Sequence, residues 1–232
     1  MKGFQEHPEA PGEVMASACC KHYVANSMDG STVDGHTATR VDFNAVISEQ
    51  DLVDSYLAPF QDCVEQGEVT SLMCSYNSVN GKPSCANPWL LETVARDQWQ
   101  FDGYITSDCD ADANVFSTHH YTATPEEAVA DVLHAGTDVD CGGFVQTHGA
   151  SALAKGLITK DDIDTRLKYL FRMRIRLGHC KCNRSLCVFF RSLKSSGFDQ
   201  STRPARCSRS RRRRSARRRR SRSLVTGRSR AA

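Results

Sequence analysis

The sequence contains no apolar run long enough to cross a membrane, and its first twenty residues hold no apolar core of a secretory leader. Met1 is followed instead by charged and Pro-rich sequence. No Cys-x-x-Cys pair occurs, which argues against a zinc ribbon or finger; the crowded group His179, Cys180, Cys182 and Cys187 is read as no metal site. Nothing repeats internally, so a solenoid is excluded. Acidic residues all but vanish after position 180, where Asp199 alone stands against 18 Lys and Arg. Residues 1–180 have the opposite balance, 26 Asp and Glu against 12 Lys and Arg. The net charge of +3 is therefore an average of an acidic part and a basic one. The expected division is an acidic domain over 1–179 and a disordered Arg/Ser-rich tail over 180–232.

Within the acidic part, strand-like and helix-like stretches alternate. Ala16 to Tyr23 reads as a strand, followed by a Gly/Asp/Ser-rich loop. From Ser48 a helix follows, with Leu52, Tyr56, Phe60 and Val64 on one face, Ser48 and Asp51 as capping pair, Pro59 as a kink and Gly67 as its end. Val69 to Tyr76 is the next strand, after which Asn87 and Pro88 open a helix. Gly103 to Ser107 is a third strand; Thr124, Pro125 and Glu127 start a helix closed by Gly136. Thr137 to Val139 reads as a fourth strand, followed by helical sequence to Gly156. The last helix starts at Thr159, is expected to bury Ile163, Leu167, Leu170 and Phe171, and stops at Gly178. About four βα units of this kind imply an α/β fold with a parallel sheet.

In such architectures chemistry gathers at the C-terminal strand ends. Those ends carry Cys20-Lys21-His22-Tyr23, Cys74-Ser75-Tyr76-Asn77, Ser107-Asp108-Cys109-Asp110 and Asp138-Val139-Asp140-Cys141. A cation, an imidazole, a phenol and carboxylates on one rim suit a polyol-binding pocket with a nucleophilic or basic carboxylate. Asp110 is read as a loop-capping carboxylate, too close to Asp108 to flank a substrate, and Arg40 as structural. Cys74 and Cys85 bracket a turn-rich loop at Asn80-Gly81 and Pro83, where a disulfide fits; Cys20 with Cys63 and Cys109 with Cys141 are further pairings that sequence does not decide.

These strand ends, with Arg40 and Phe43-Asn44-Ala45, Pro59-Phe60, Met73 to Gly81, Gly103 to Ala111 and Ala135 to Gly142, resemble glycoside hydrolase family 3 in its β-xylosidase branch. The resemblance implies an incomplete TIM-type (β/α)₈ barrel and retaining hydrolysis of terminal β-linked xylose from xylo-oligosaccharides or aryl glycosides. Asp108 falls on the family's nucleophile, Lys21 and His22 on a pair that binds sugar hydroxyls, and Tyr76 on an aromatic beside the nucleophile. No metal or organic cofactor is implied. Lys21 offers three donors, and His22 donates or accepts as its tautomer requires. In the family the general acid/base Glu belongs to a second domain and the barrel's first strands precede the Lys-His motif; neither is in these residues. Impaired turnover, or a catalytically silent carbohydrate-binding fragment, is therefore expected. Seven cysteines in the acidic part suggest a secreted protein, which agrees with the leaderless start if the native N-terminus lies upstream.

The tail is the remaining question. Eight arginines lie between Arg211 and Arg220. Taken literally they form a polycation that neutralises phosphates without sequence specificity, since no aromatics interleave. The family-like pattern stops within two residues of Gly178, and Arg/Ser/Ala-rich sequence is what a GC-rich gene yields out of frame. A frameshifted or mis-spliced tail is the favoured expectation.

Overall fold

The computed structural model describes residues 1–9, 13–33 and 35–179; the segment 180–232, with the expected tail, its boundary and three of the four crowded metal candidates, lies outside them. Helix α1 (Lys2–Gln5) precedes strand β1 (Cys19–Tyr23), the hairpin β2 (Gly30–Val33) and β3 (His36–Thr39), and the short β4 (Asn44–Ala45). Then come α2 (Glu49–Asp51), a π-helical segment (Leu52–Leu57) and α3 (Ala58–Glu65), followed by β5 (Ser71–Cys74), β6 (Ser78–Val79) and β7 (Lys82–Pro83). A 3₁₀ turn (Ser84–Ala86) and a π-helix (Trp89–Gln98) lead to β8 (Tyr104–Ser107), α4 (Ala111–Ser117), α5 (Pro125–Ala135), α6 (Phe144–Ala154) and α7 (Lys160–Arg176).

The central sheet is parallel, in the order β1-β5-β8, with Cys20 beside Leu72 and Leu72 beside Ile105. Parallel strands are covered on both faces, and Ser71, Leu72 and Cys74 of β5 are accordingly all fully buried. Thr137 to Val139 runs along β8 in the same direction but makes a single bridge, Thr106 to Val139, where the sequence suggests a full strand. The reason is local. The Ile105 N–H is taken by the Asp138 side chain at 2.7 Å, so a carboxylate replaces part of the backbone ladder.

One face of the sheet packs against Leu90, Leu91, Val94 and Trp99 at and after the π-helix. Tyr23 is the largest side chain wholly inside this core; its ring meets Phe60 edge-on at 5.1 Å and its hydroxyl donates to the Leu90 carbonyl at 2.9 Å. Each large side chain buried this way contributes about 1.5–3 kcal/mol. The N-terminal ends of the strands are closed by a residue that no sequence pattern flags. Gln5 is buried, and its side-chain oxygen accepts from the Ala18 and Thr70 amides, both at 3.0 Å, and from the Thr70 hydroxyl.

Helix starts follow the sequence closely. Ser48 accepts from the Asp51 amide at 3.0 Å, and capping boxes form at Thr124 with Glu127 and at Thr159 with Asp162. Pro59 falls at the handover from π to α geometry: it has no N–H to give the preceding turn, so the hydrogen-bond register changes there. Gly136 ends α5 at φ 118°, and a Cβ there would lie 2.9 Å from Glu92 Oε1 and 3.1 Å from Leu91 Cβ.

Helix α7 corrects an expectation. Met173 is buried, Ile163 and Leu170 are half-buried, and Leu167 and Phe171 are exposed. The inward face is built from Arg166, Tyr169 and Met173, because Tyr169 stacks at 3.6 Å on the buried Arg96 guanidinium. Aliphatic spacing alone therefore catches Ile163 and Leu170 at the edge of the inward face and misses its centre.

Candidate active site

Three strand ends and one loop meet at the C-terminal rim of the sheet. Pairing of β1 with β5 becomes irregular between Cys20 and Tyr23, and Lys21 and His22 leave the ladder there. Such irregularities re-aim side chains. His22 Nε2 lies 3.3 Å from Asp108 Oδ2. Asp108 follows β8 directly and is pinned by its own backbone. Its N–H donates to the Cys74 carbonyl at 3.1 Å, and its carbonyl accepts from Ala111 at 3.0 Å. Oδ1 accepts from the Cys109 amide at 2.8 Å, leaving Oδ2 turned toward His22.

Tyr76, just beyond β5, places its hydroxyl in hydrogen-bonding position to Asp108. Burial, then the Asp108 charge, push that phenol above its usual range, while Arg40 pulls it back. The Arg40 guanidinium lies 5.5 Å from the centre of the Tyr76 ring. His22, Tyr76, Arg40 and Asp108 share the wall of a pocket of about 270 Å³, with Asn26 and Asp29 completing its polar side. Lys21 is exposed beside His22 and stands outside that wall.

Arg40 is thus a pocket residue and not a structural one. It arrives on the polar stretch after β1, where β2 and β3 pair antiparallel and β4 pairs parallel with β6. Asn26 bridges the two sides of this stretch, donating to the Arg40 carbonyl at 3.4 Å and to Asn77 Oδ1 at 3.0 Å. His119 is a residue that the sequence did not single out. Its Nε2 is 2.7 Å from the Tyr76 carbonyl and its Nδ1 is 3.2 Å from Ser78 Oγ. A carbonyl can only accept, so Nε2 carries the proton and Nδ1 accepts from the serine.

Asp110 occupies the N-cap position of α4, yet its side chain caps nothing. Its backbone is left-handed, at φ 65°, which turns Oδ1 toward Gly142, where a Cβ would sit 2.6 Å away. Disulfides join Cys20 to Cys63, Cys74 to Cys85 and Cys109 to Cys141, and the last ties the Asp108 loop to the segment after Val139. Such bonds fit an oxidising compartment. Cys19 is the free cysteine among the described residues; burial raises its thiol, so little reactive thiolate is present. Also among the described residues, no cluster of His, Cys, Asp or Glu is arranged to hold a metal ion, and no helix is long and apolar enough to cross a membrane.

This geometry sits in a sequence with clear relatives. Probable beta-D-xylosidase 7 of Arabidopsis thaliana is 50% identical over 175 residues, covering 75% of this chain and 22% of that protein. Probable beta-D-xylosidase 6 of the same plant is 47% identical over 170 residues, 73% of this chain and 21% of that one. A solved GH3 exo-beta-xylosidase, in complex with a xylobiose aziridine activity-based probe, superposes with a TM-score of 0.67 at 36% identity, over 72% of this chain and 22% of that structure. The chain thus spans about a fifth of the length of these relatives. Residues 1–173 match the glycosyl hydrolase family 3 N-terminal domain, and the chain belongs to that family, in its β-xylosidase-like branch.

Proposed function

We propose that this chain carries the nucleophile and part of the glycone site of a retaining, exo-acting glycosidase that releases β-linked xylose during hemicellulose breakdown. The observation that carries the reading is the 3.3 Å approach of His22 Nε2 to Asp108 Oδ2 on the wall of a polar pocket. On this reading the Asp108 carboxylate attacks the anomeric carbon, the bond to the leaving oxygen breaks, and a glycosyl ester forms that water later cleaves. Tyr76 donates to the carboxylate and orients it. His22 and Arg40 donate to ring hydroxyls, and Lys21 does so from the rim. Such bonds matter most where they strengthen as the oxocarbenium-like transition state forms. The parallel sheet and its helices are read as four successive units of a (β/α)₈ barrel, with residues 1–179 as one domain and 180–232 as a separate tail.

Retention also needs a protonated carboxyl roughly 5–5.5 Å from the nucleophile, to release the leaving group. None is assigned among the described residues, so the test uses a substrate that needs no such help. A dinitrophenyl 2-fluoro-β-xyloside loses its phenolate unprotonated, and the fluorine slows hydrolysis of the ester. Intact-mass and peptide analysis of the full chain should find one fluoroxylosyl group on Asp108, and none on Asp108→Asn. Label on another residue, or no label on folded protein, overturns the reading. Xylose binding without label would leave the pocket a carbohydrate-binding site, the silent alternative.

A further inference from the structure

Directly beneath the Asp108 loop is a carboxyl group that the proposed chemistry does not use. Asp112, on the first turn of α4, has no exposed surface. It faces the Asp140 carboxyl, with the Ser107 hydroxyl beside it. With both carboxyls ionised, neither Asp112 oxygen nor Asp140 Oδ1 has a hydrogen-bond partner. Two carboxylates are acceptors only, so a bond between them needs a proton. Buried polar atoms are seldom left unpaired, because each forfeits its bonds to water without replacement.

We propose that Asp112 and Asp140 share one proton, and that this carboxyl–carboxylate bond positions the loop bearing Asp108. The positioning role rests on the nucleophile reading above; the pair itself does not. The surroundings decide which partner keeps the charge. Asp140 Oδ2 accepts from the Val145 amide at 2.9 Å, in the first turn of α6, where the helix favours an anion. Asp112 has no amide donor of this kind, and burial, then the Asp140 charge, push its carboxyl well above the usual range against a smaller downward pull from the Ser107 hydroxyl. Asp112 therefore holds the proton.

Among the described residues, the elements packed on α4 bring no Lys or Arg to offset this, and α5 adds a further carboxyl, Asp131. On α5, packed beside α4, Glu126 is held by Lys155, Glu127 closes its capping box and His134 meets Asp162. On α6, His148 stacks on Phe144. Asp110 points at Gly142, and the 3₁₀ turn Ser84–Ala86 carries no charge.

The pair also completes a chain of bonds. The Cys141 amide donates to Ser107 Oγ at 2.8 Å, beside Asp112. Asp112 then donates to Asp140, whose other oxygen is held by α6. Ser107 is the residue before Asp108, and Gly142 packs so closely that a Cβ there would lie 3.2 Å from Asp140 Oδ1. The starts of α4 and α6 are thus joined through one proton, next to the strand end that bears Asp108.

Two measurements on the full chain test this. Infrared spectra at pH 7 should show the carbonyl band of a buried protonated carboxyl in the wild type, and Asp112→Asn should lose it. Absence of the band, or its survival in that variant, overturns the pair whatever the enzyme does. The rate of Asp108 labelling by the fluoroxyloside tests positioning. Asp112→Val, which removes the donor, should slow labelling at least about tenfold, because small misplacements of a nucleophile are costly. Asp112→Asn restores a donor and should recover most of that rate. Equal rates in wild type and Asp112→Val overturn positioning. If the wild type does not label at all, the nucleophile reading fails, while the infrared band still decides the pair; the band needs no folded Asp112→Val.

Discussion

Asp138 and Asp112 are both withdrawn from water, yet their regions treat the charge in opposite ways. Asp138, beside β8, meets Arg96 at 2.6 Å, the Ile105 amide at 2.7 Å and Arg166 at 3.4 Å. Arg96 is itself enclosed by the Tyr169 ring and the Gly103 carbonyl. Even so, burial outweighs these attractions and raises the Asp138 carboxyl to about 6. Asp112, beneath the rim, has a hydroxyl and another carboxyl for neighbours, and its carboxyl goes well above the usual range. Enclosing a carboxylate costs more than one close cation returns. The fold answers with two arginines where it anchors a helix, and with a proton where it shapes a site.

The largest expected effect breaks the first of these regions. Asp138→Ala leaves Arg96 buried beside an empty space and frees the Ile105 amide. Losing one partner of a buried ion pair typically costs about 3–5 kcal/mol. Urea unfolding should show a loss of that order. A loss below about 1 kcal/mol would mean that Tyr169, Glu92 and the Gly103 carbonyl satisfy Arg96 by themselves, and the contrast with Asp112 would collapse.

A smaller effect separates the two aspartates by pH. An unfolded Asp titrates near 3.9. Both folded carboxyls lie above that value, so between the two values the folded state binds more protons than the unfolded one. Stability must then fall as pH rises. The share of Asp138 is spent once pH passes about 6, whereas Asp112, if it holds the shared proton at pH 7 as proposed, continues to lose its share beyond that. Thermal scans should therefore show wild-type stability still declining above pH 6, and Asp112→Asn should flatten that decline. At pH 8 the variant should melt higher than the wild type by roughly 3 °C or more. A variant that tracks the wild type across this range would show that Asp112 is ionised like any surface carboxylate.

Much of the rim was legible before the structure, because apolar strands cut off by Asn, Gly and Asp announce where parallel strands end. That logic brought Asp108, His22 and Tyr76 to one place, and the turn at Asn80-Gly81 marked the loop that Cys74 and Cys85 close. Arg40 was read as structural because it lies between β3 and β4, among short polar strands held by threonine pairs and side-chain amides, with no hydrophobic alternation to betray them. On helix α7, Leu167 and Phe171 were placed inward in error because the centre of its inward face is a stacked Arg–Tyr–Arg arrangement. Asp112 was invisible for a related reason. An acidic residue in a first helical turn reads as a solvated partner of the helix dipole, and its complete enclosure here is a product of tertiary packing.

A third aspartate, at the start of α7, supplies the smallest effect and the opposite sign. Asp162 Oδ2 accepts from the Thr159 amide and hydroxyl, both at 2.7 Å, and lies 3.5 Å from His134. The Thr159 donors, ahead of all else, hold its carboxyl below the usual range. A lowered carboxyl adds stability above its unfolded value near 3.9, and that stability is lost as pH falls through the folded value. Thr159→Ala removes the hydroxyl that both donates to Asp162 and accepts from its amide, a capping loss of about 1 kcal/mol at pH 7. Urea midpoints for the variant and the wild type should draw closer on acidification, since a neutral Asp162 gains less from the hydroxyl. A gap that widened instead would mean that donors do not govern this carboxyl, and that burial alone does not distinguish it from Asp112 and Asp138.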